Sequence, residues 1–552
     1  MSSPSVIVVG AGGIATAARL AKEGFRVKVV EKHGFVGGRC SLIHDNGFVR
    51  RYASPDQSHL IILLTAHQRF DQGPSLLLMP ELFHQTFHDL NTSLSEEGVA
   101  FLKCEPNYCI WFADHDCFQL STDLAKMKLQ IDRHEGEEGF QKFLAFMQEA
   151  GKHYELSLKH VLQRNFPDML SMLRPAFLLS VFSMHPFQSI YGRISRYFRS
   201  EKLRRVFTFA SMYLGMNPFE APGTYSLLQF TELAHGIAYP AGGFQKILRA
   251  LARVGERFGV EYCLNSPVSS IILRKQDKVI SGVRLESGKE LYADIVVINA
   301  DLVYAYNNLL PPSKAARMLS KRAASCSSIS FFWSFDRVIP ELQTHNVFLA
   351  EEYRESFDAI FKRHSLPDEP SFYVNVPSRI DPTAAPKGKD AVVVLVPVGH
   401  LDEHSASSQQ WESLVDRVRV FILNTIEART GVKGLDKFLL HETIQTPLDW
   451  KSKFNLDRGA ILGLSHSFFN VLSFRPRNKH AEIDGLYFVG ASTHPGTGVP
   501  VCLAGGKVVS EQIIDDWNKK QSSSTRRPLC LIFLALVFLL YFMILWHPFN
   551  FS

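Results

Sequence analysis

Three glycine-bearing stretches carry residue types that could hold a phosphate and a redox ring. The first is Gly10-Ala-Gly12-Gly13-Ile-Ala15, set between the apolar run Ser5 to Val9 and the small residues Ala17, Ala18 and Ala21. Glycine has no Cβ, so backbone N–H groups and a helix N-terminus can meet a pyrophosphate there. Nineteen residues after Gly12 stands Glu31, spaced to accept hydrogen bonds from ribose hydroxyls. The second stretch, Gly37-Gly38-Arg39, follows within a few residues. A second glycine pair with an arginine suits the longer pyrophosphate of a flavin dinucleotide. The third, "GLYFVGASTHPGTGVPVCLAGGKVV" from Gly485, could cover a flavin ring with backbone N–H groups. No Ser-His-Asp set and no paired carboxylates stand out, so no acid or base is named. Glu232 and His235, beside "GIAYP", read as core or surface groups before cavity groups.

These residues need elements to place them. Ser5 to Val9 predicts a buried parallel strand, the following stretch a helix closed by Gly24, and Arg26 to Val30 a second strand. Residues 265–301 alternate like antiparallel strands, turn at Ser287-Gly288 and end in a buried strand, Ile295 to Ile298. "FQKFLAFMQEAGKHYEL" reads as a helix, and "ISFFWSF" and "AVVVLVPVG" read as strands.

Composition bounds the rest. The 552 residues exceed one simple core and call for two or three domains. A hydrophobic share of 46% with 21% charged residues is globular, and a net charge of +6 with no dense basic tract argues against nucleic acid. The 42 phenylalanines suit an apolar interior or cavity. Eight cysteines form no CxxC pair and no histidine pair has zinc spacing, so no metal is expected and a reduced protein is the default.

At the C-terminus, Leu529 to Trp546 is an uncharged run of 18 residues, preceded by Lys519, Lys520, Arg526 and Arg527. As a helix it would span about 27 Å, enough for a bilayer core. The charge bias predicts a single-pass anchor, with the body facing the cytosol on a membrane such as the endoplasmic reticulum. "YGRISRYFRSEKLRR", with Arg193, Arg196 and Arg199, is a candidate face for anionic headgroups, weighed evenly against a solvated helix.

Longer motifs carry a resemblance. "VVEKHGFVGGRCSLI", "RFDQGPSLLLMP", "YSLLQFTELAHGIAYPAGGF", "NADLVYAYNNLLPP", "FNLDRGAILGLSHSFFNVLSFRP" and "FVGASTHPGTGVPVCLAG" run along most of the chain. The sequence resembles the bacterial and fungal phytoene desaturases of the flavin amine oxidase-like superfamily. That resemblance implies an α/β fold: a Rossmann-like FAD domain of the two-dinucleotide-binding-domain type, a discontinuous α+β substrate domain and a C-terminal transmembrane helix. The FAD domain would comprise residues 1–115, 236–310 and 470–520, and the substrate domain 116–235 and 311–469. A polar tether at 521–528 and the anchor at 529–546 would follow. It implies FAD as cofactor, a hydrophobic C40 carotenoid as substrate, a quinone or oxygen as electron acceptor, and membrane lipid as partner. The activity would be successive desaturation of phytoene toward lycopene or 3,4-didehydrolycopene. Gly10, Gly12, Gly13, Glu31, Gly38 and Arg39 would hold the ADP half. Asp71, Gly73, Gly490, Gly498 and Val499 would lie near the flavin, and Val268 would meet the adenine through its backbone. An isomerase or saturase, a desaturase of another polyisoprenoid, a prenyl-escort protein and an inactive chain remain as alternatives.

Two departures from the family pattern stand out. The family's G-A-G-x-G-G loop is two residues shorter here, which would rotate the following helix by about 200° unless the junction re-registers; otherwise pyrophosphate binding suffers. Residues 44–68 are an insertion between "CSLI" and "RFDQGP", expected as a poorly packed surface loop of the kind a gene-prediction error adds.

Overall fold

The computed structural model describes residues 3–45, 68–274, 278–402 and 408–545, with backbone alone for 523–545. The expected strand Ser5–Val9 forms, with Val6, Ile7 and Val8 at most 3% exposed. It is the middle strand of a five-stranded parallel sheet whose neighbours come from far along the chain. The order is Leu486–Phe488, Ile295–Ile298, Ser5–Val9, Arg26–Val30 and Glu261–Cys263. A strand buried on both faces must be apolar throughout, which is why the two inner strands Ser5–Val9 and Ile295–Ile298 read as β-branched runs.

The shortened glycine loop is absorbed at the strand–helix junction. Gly10 takes φ +96°, Ala11–Gly13 form a tight 3-10 turn, and the α-helix begins at Ile14 and runs to Lys22. A Cβ on Gly13 would sit 2.7 Å from Val8 Cγ1, so only glycine lets the turn fold this closely onto the strand. The helix is buried nearly all round, with Ile14, Ala17, Ala18 and Leu20 at 0%. It packs against Phe244–Arg257 and the start of the last helix, where Gly506 meets Thr16. The helix thus follows the shortened loop directly, with its apolar residues in the core.

A second, seven-stranded sheet is built around two nine-residue strands, Ser327–Phe335 and Asp390–Val398. One face packs on the helix Ser408–Thr430 through Trp333, Phe372, Val394, Ile422 and Ile426. Tyr108–Trp111 and Cys117–Leu120 extend this sheet, so the expected boundary at 115/116 falls in the loop between two paired strands. Cys109 and Cys117 are bridged across that hairpin, a pairing that the reduced-protein default did not foresee. A helical layer from Leu124 to His235 packs beside both sheets, with Phe143, Phe146, Phe198 and Phe207 at its centre.

The insertion leaves from the ends of an antiparallel pair, Leu42–Asp45 with Gln68–Asp71. Residues 46–67 lie outside the described residues, and so does the expectation placed on them.

The C-terminal transmembrane helix is a correction. Among the described residues, no helix is long and apolar enough to cross a membrane. The apolar run is not an element of its own; up to Leu545 it continues a helix that starts at Val499 inside the globular body. Polar contacts hold the first half of that helix on the parallel-sheet layer: Lys507 to Asp89, Asp516 to Lys479, and Lys520 to Asp484. The single-pass anchor at 529–546, and the cytosol-facing membrane localisation drawn from it, go with that correction. The basic aromatic stretch is not one continuous helix but two short ones, Ile190–Ile194 and Glu201–Val206, with Arg196 and Arg199 exposed between them. Arg193 is buried in an ion pair with Glu149, and Tyr197 donates to the same carboxylate at 2.9 Å.

Candidate functional site

All five parallel strands end on the same side, and their carboxyl ends open into one cavity of about 650 Å3. Val9 and Gly10, Val30 and Glu31, Ile298 and Asn299, and Phe488 to Gly490 line it, each the last residue of a strand or one of the two beyond it. This is where open parallel sheets bind ligands, because side chains and backbone N–H groups from separate loops converge there.

The first loop shapes the cradle. Gly10 N–H donates to Val30 O at 2.8 Å and Gly13 N–H to Gly10 O at 3.1 Å. Glu31, only 5% exposed, uses one carboxylate oxygen to accept from Ala11 N–H and the other to accept from His33 N–H, both at 2.8 Å. Asn299 spans the neighbouring strand ends, donating from Nδ2 to Val489 O at 2.9 Å. A Cβ on Gly12 would overlap Asn299 Oδ1, so that glycine is required by close approach.

Three features fit a flavin dinucleotide. Arg39 lines the cavity beyond Gly37 and Gly38, and among the described residues its side chain makes no ion pair or hydrogen bond, leaving its charge for an anionic group. Gln72 is 4% exposed and lines the cavity. Its Oε1 accepts from Ser41 Oγ at 2.7 Å, while its Nε2 is a buried donor without a partner. The last helix starts at Val499, directly after Gly498 at φ +97°, and both residues line the cavity, so the positive end of its dipole faces inward.

The other expected residues divide. Gly73, Val268 and Gly490 line the cavity. Gly13 does not; it packs on Val8 and shapes the turn. Asp71 is turned away from the cavity. It accepts from Phe244 N–H at 2.8 Å and from Tyr239 Oη at 2.5 Å, tying its strand to the start of the helix Phe244–Arg257. Burial raises its carboxyl to about 6. Gln72, Asn299 and Asp301 are cavity residues that sequence reasoning did not assign. Asp301, also lifted to about 6 by burial, caps the short helix after the fourth strand through Tyr304 N–H at 3.0 Å.

Away from the strand ends the cavity wall becomes apolar, with Leu76, Met79, Phe209, Met212, Val347 and Phe372. Tyr213, Tyr373 and the serines Ser75, Ser327, Ser328, Ser330 and Ser371 add polar groups to it. A hydrocarbon offers nothing to hydrogen-bond, so a wall of this kind selects by shape. Elsewhere, Glu149, His153 and His185 bring three ligand atoms within 4.8 Å of one another, although Arg193 and Tyr197 already hold the Glu149 carboxylate.

Residues 11–514 match the family model for flavin containing amine oxidoreductase. The chain is 56% identical to a phytoene desaturase of Fusarium fujikuroi over 94% of this chain and 90% of that one. It is 37% identical to a zeta-carotene-forming phytoene desaturase of Myxococcus xanthus, over 94% and 95%. Among solved structures, a putrescine oxidase shares the fold at 15% identity, with a TM-score of 0.58 over 93% of this chain and 99% of its own.

Proposed function

This chain belongs to the flavin containing amine oxidoreductase family, within its carotenoid desaturases, with FAD as cofactor, and on that premise we propose that it desaturates phytoene stepwise to lycopene. One observation carries the reading. A single cavity joins a glycine-lined dinucleotide cradle at the parallel strand ends to an apolar wall between the second sheet and the helical layer.

In this reading Gly10, Gly12, Gly38 and Arg39 hold the pyrophosphate, with Gly13 keeping the turn tight against its strand. Glu31 orients the ribose while bracing the loop through Ala11, and Val268 meets the adenine. Gly73, Gly490, Gly498 and Val499 would flank the flavin, and Gln72 Nε2 would offer it a hydrogen-bond donor. Asp71 acts at one remove, by fixing the strand that carries Gln72 and Gly73. The bound flavin supplies a two-electron hydride acceptor. The protein positions the hydrocarbon against it and keeps water out with the apolar wall. The electrons then pass to a quinone or to oxygen.

The test is pigment formation in cells that accumulate phytoene and express this chain. Multi-banded red absorption of lycopene is expected, and the band positions count the double bonds added. Pigment stopping at zeta-carotene would contradict the end product. Colourless phytoene beside flavin-loaded protein would overturn the reading.

A further inference from the structure

Behind the apolar wall, reached through a tyrosine that lines it, lies a buried carboxyl group. Glu232 lies in a π-helical turn, Thr231–His235, and is 2% exposed. Such widened turns are frequent at functional sites, and among the described residues this is one of three, with Leu158–Leu162 and Ala305–Leu309. Asn107 Nδ2 donates to the Glu232 carbonyl at 2.6 Å and so satisfies the backbone of the turn. The carboxyl itself has one partner. Tyr108 Oη, 0% exposed, donates to Oε1 at 3.4 Å.

From there a line of oxygens leads to the cavity. The Tyr108 hydroxyl is in short hydrogen-bond contact with the Tyr213 hydroxyl, and Tyr213 lines the cavity. A parallel branch runs beside it, from Ser75 Oγ to Tyr373 Oη at 2.9 Å and from Tyr373 Oη to His345 Nδ1 at 2.7 Å. Ser75 is two residues beyond Gly73 and both line the cavity, which puts the second branch beside Gly73, and the Tyr108 and His345 rings, 5.9 Å apart, join it to the first.

Burying a carboxyl without a cation is costly, and a stable core would replace it with an apolar residue. Removing it from water pushes its pKa up to about 8, close to a working pH. The groups around it do not titrate there. Burial holds Tyr108 and Tyr213 well above the ordinary phenol value, Tyr373 is also raised by burial, and His345 is pushed down to about 3. On its own turn, His235 is turned to Glu81 at 3.4 Å.

Resting on the desaturase reading above, we propose that Glu232, reached through Tyr213 and Tyr108, takes up the hydrogen that the reaction removes as a proton. Each new double bond requires the loss of two hydrogens from adjacent carbons. One leaves with its bonding electron pair as hydride to the flavin, and the adjacent carbon is left electron-poor. The second C–H bond then breaks, its electron pair becomes the new π bond, and its proton goes to the Tyr213 oxygen. Tyr213 passes its own phenolic proton to Tyr108, and Tyr108 passes its proton to the Glu232 carboxylate. Both tyrosines end neutral, and one proton has been gained at Glu232. The hydrocarbon has no basic atom, so the proton needs an acceptor outside it, and Tyr213 lines the cavity with an oxygen in line with Tyr108 and Glu232. Tyr213 is the group that faces the substrate; Glu232 acts through it.

The experiment uses the full FAD-loaded chain, with Glu232→Gln as an isosteric change and Tyr213→Phe as a second break in the line. Two readouts are taken from pH 6 to 9: anaerobic loss of flavin absorbance on mixing with phytoene in detergent micelles, and the infrared band of a protonated carboxyl. Wild-type bleaching is expected to speed up with pH and level off above a midpoint of about 8, with the carboxyl band fading at the same midpoint. Both variants are expected to keep their FAD and their phytoene affinity while bleaching roughly 100-fold more slowly. Glu232→Gln should lose the pH dependence and the band together. A Glu232→Gln protein that keeps the wild-type rate and profile, or still shows a carboxyl band that fades near pH 8 rather than near the value of about 6 of Asp71 and Asp301, overturns the relay. Wild-type protein that phytoene does not bleach at any pH overturns the desaturase reading and takes the relay with it.

Discussion

The Ala11 amide donates to Glu31 Oε2 at 2.8 Å, so the tight glycine turn is braced by the acid that ends the next strand. The same carboxylate accepts from His33 N–H at 2.8 Å, and the side chain is nearly inaccessible. Glu31→Ala therefore leaves two backbone donors without partners in addition to removing a ribose acceptor. It is expected to destabilise the apo protein by about 1–3 kcal/mol per orphaned donor and to lower flavin content. Thermal unfolding and the flavin-to-protein absorbance ratio check both.

Arg39 gives the opposite separation. With no ion pair inside the protein among the described residues, Arg39→Ala should shift apo stability by less than about 0.5 kcal/mol. Loss of a charge-assisted contact to a phosphate should weaken FAD binding by about 10- to 100-fold. Titration of apo protein with FAD, followed by fluorescence, measures that change.

Asp71 is expected to behave as a structural residue. Asp71→Ala strips the start of the helix Phe244–Arg257 of its acceptor and leaves the buried Tyr239 hydroxyl unpaired. A loss of about 1–3 kcal/mol is expected by denaturant unfolding. Protein that remains folded should bind FAD close to normally.

Glu232 makes stability depend on pH with a definite sign. Its folded value of about 8 lies above the ordinary 4.5, so between those values the folded state holds a proton that the unfolded state has released. Stability is full below pH 4.5, falls as pH rises through the window and levels off above about 8. Glu232→Gln is expected to flatten that part of the curve and to be the more stable protein at pH 9, as urea unfolding at several pH values would reveal.

The strands and glycine loops were legible because their signals are local. Val6 to Val9 and Ile295 to Ile298 are apolar on both faces, which only a central strand tolerates. The neighbour order in the sheets depends on contacts hundreds of residues apart, and no window of sequence carries it. Asp71 and Gln72 show how fine the limit is. On an extended segment adjacent residues point to opposite faces, and the one carrying a charge drew the flavin assignment although its neighbour lines the cavity. For Glu232 the sequence leaves core and surface open; the structure buries it beside Tyr108, with Tyr213 next in line, 124 and 19 residues away in sequence. The anchor expectation rested on hydropathy of one segment, whereas the segment's described part belongs to a helix already committed to the globular body.

The central claim is that one cavity brings the cofactor and a hydrocarbon together. The most direct measurement is the visible spectrum of the purified FAD-loaded chain, titrated anaerobically with phytoene in micelles. The account expects the flavin bands to bleach in step with new polyene absorption, one flavin reduced for each double bond formed. Flavin bands that stay unchanged at saturating phytoene, in protein shown to hold FAD, would contradict it.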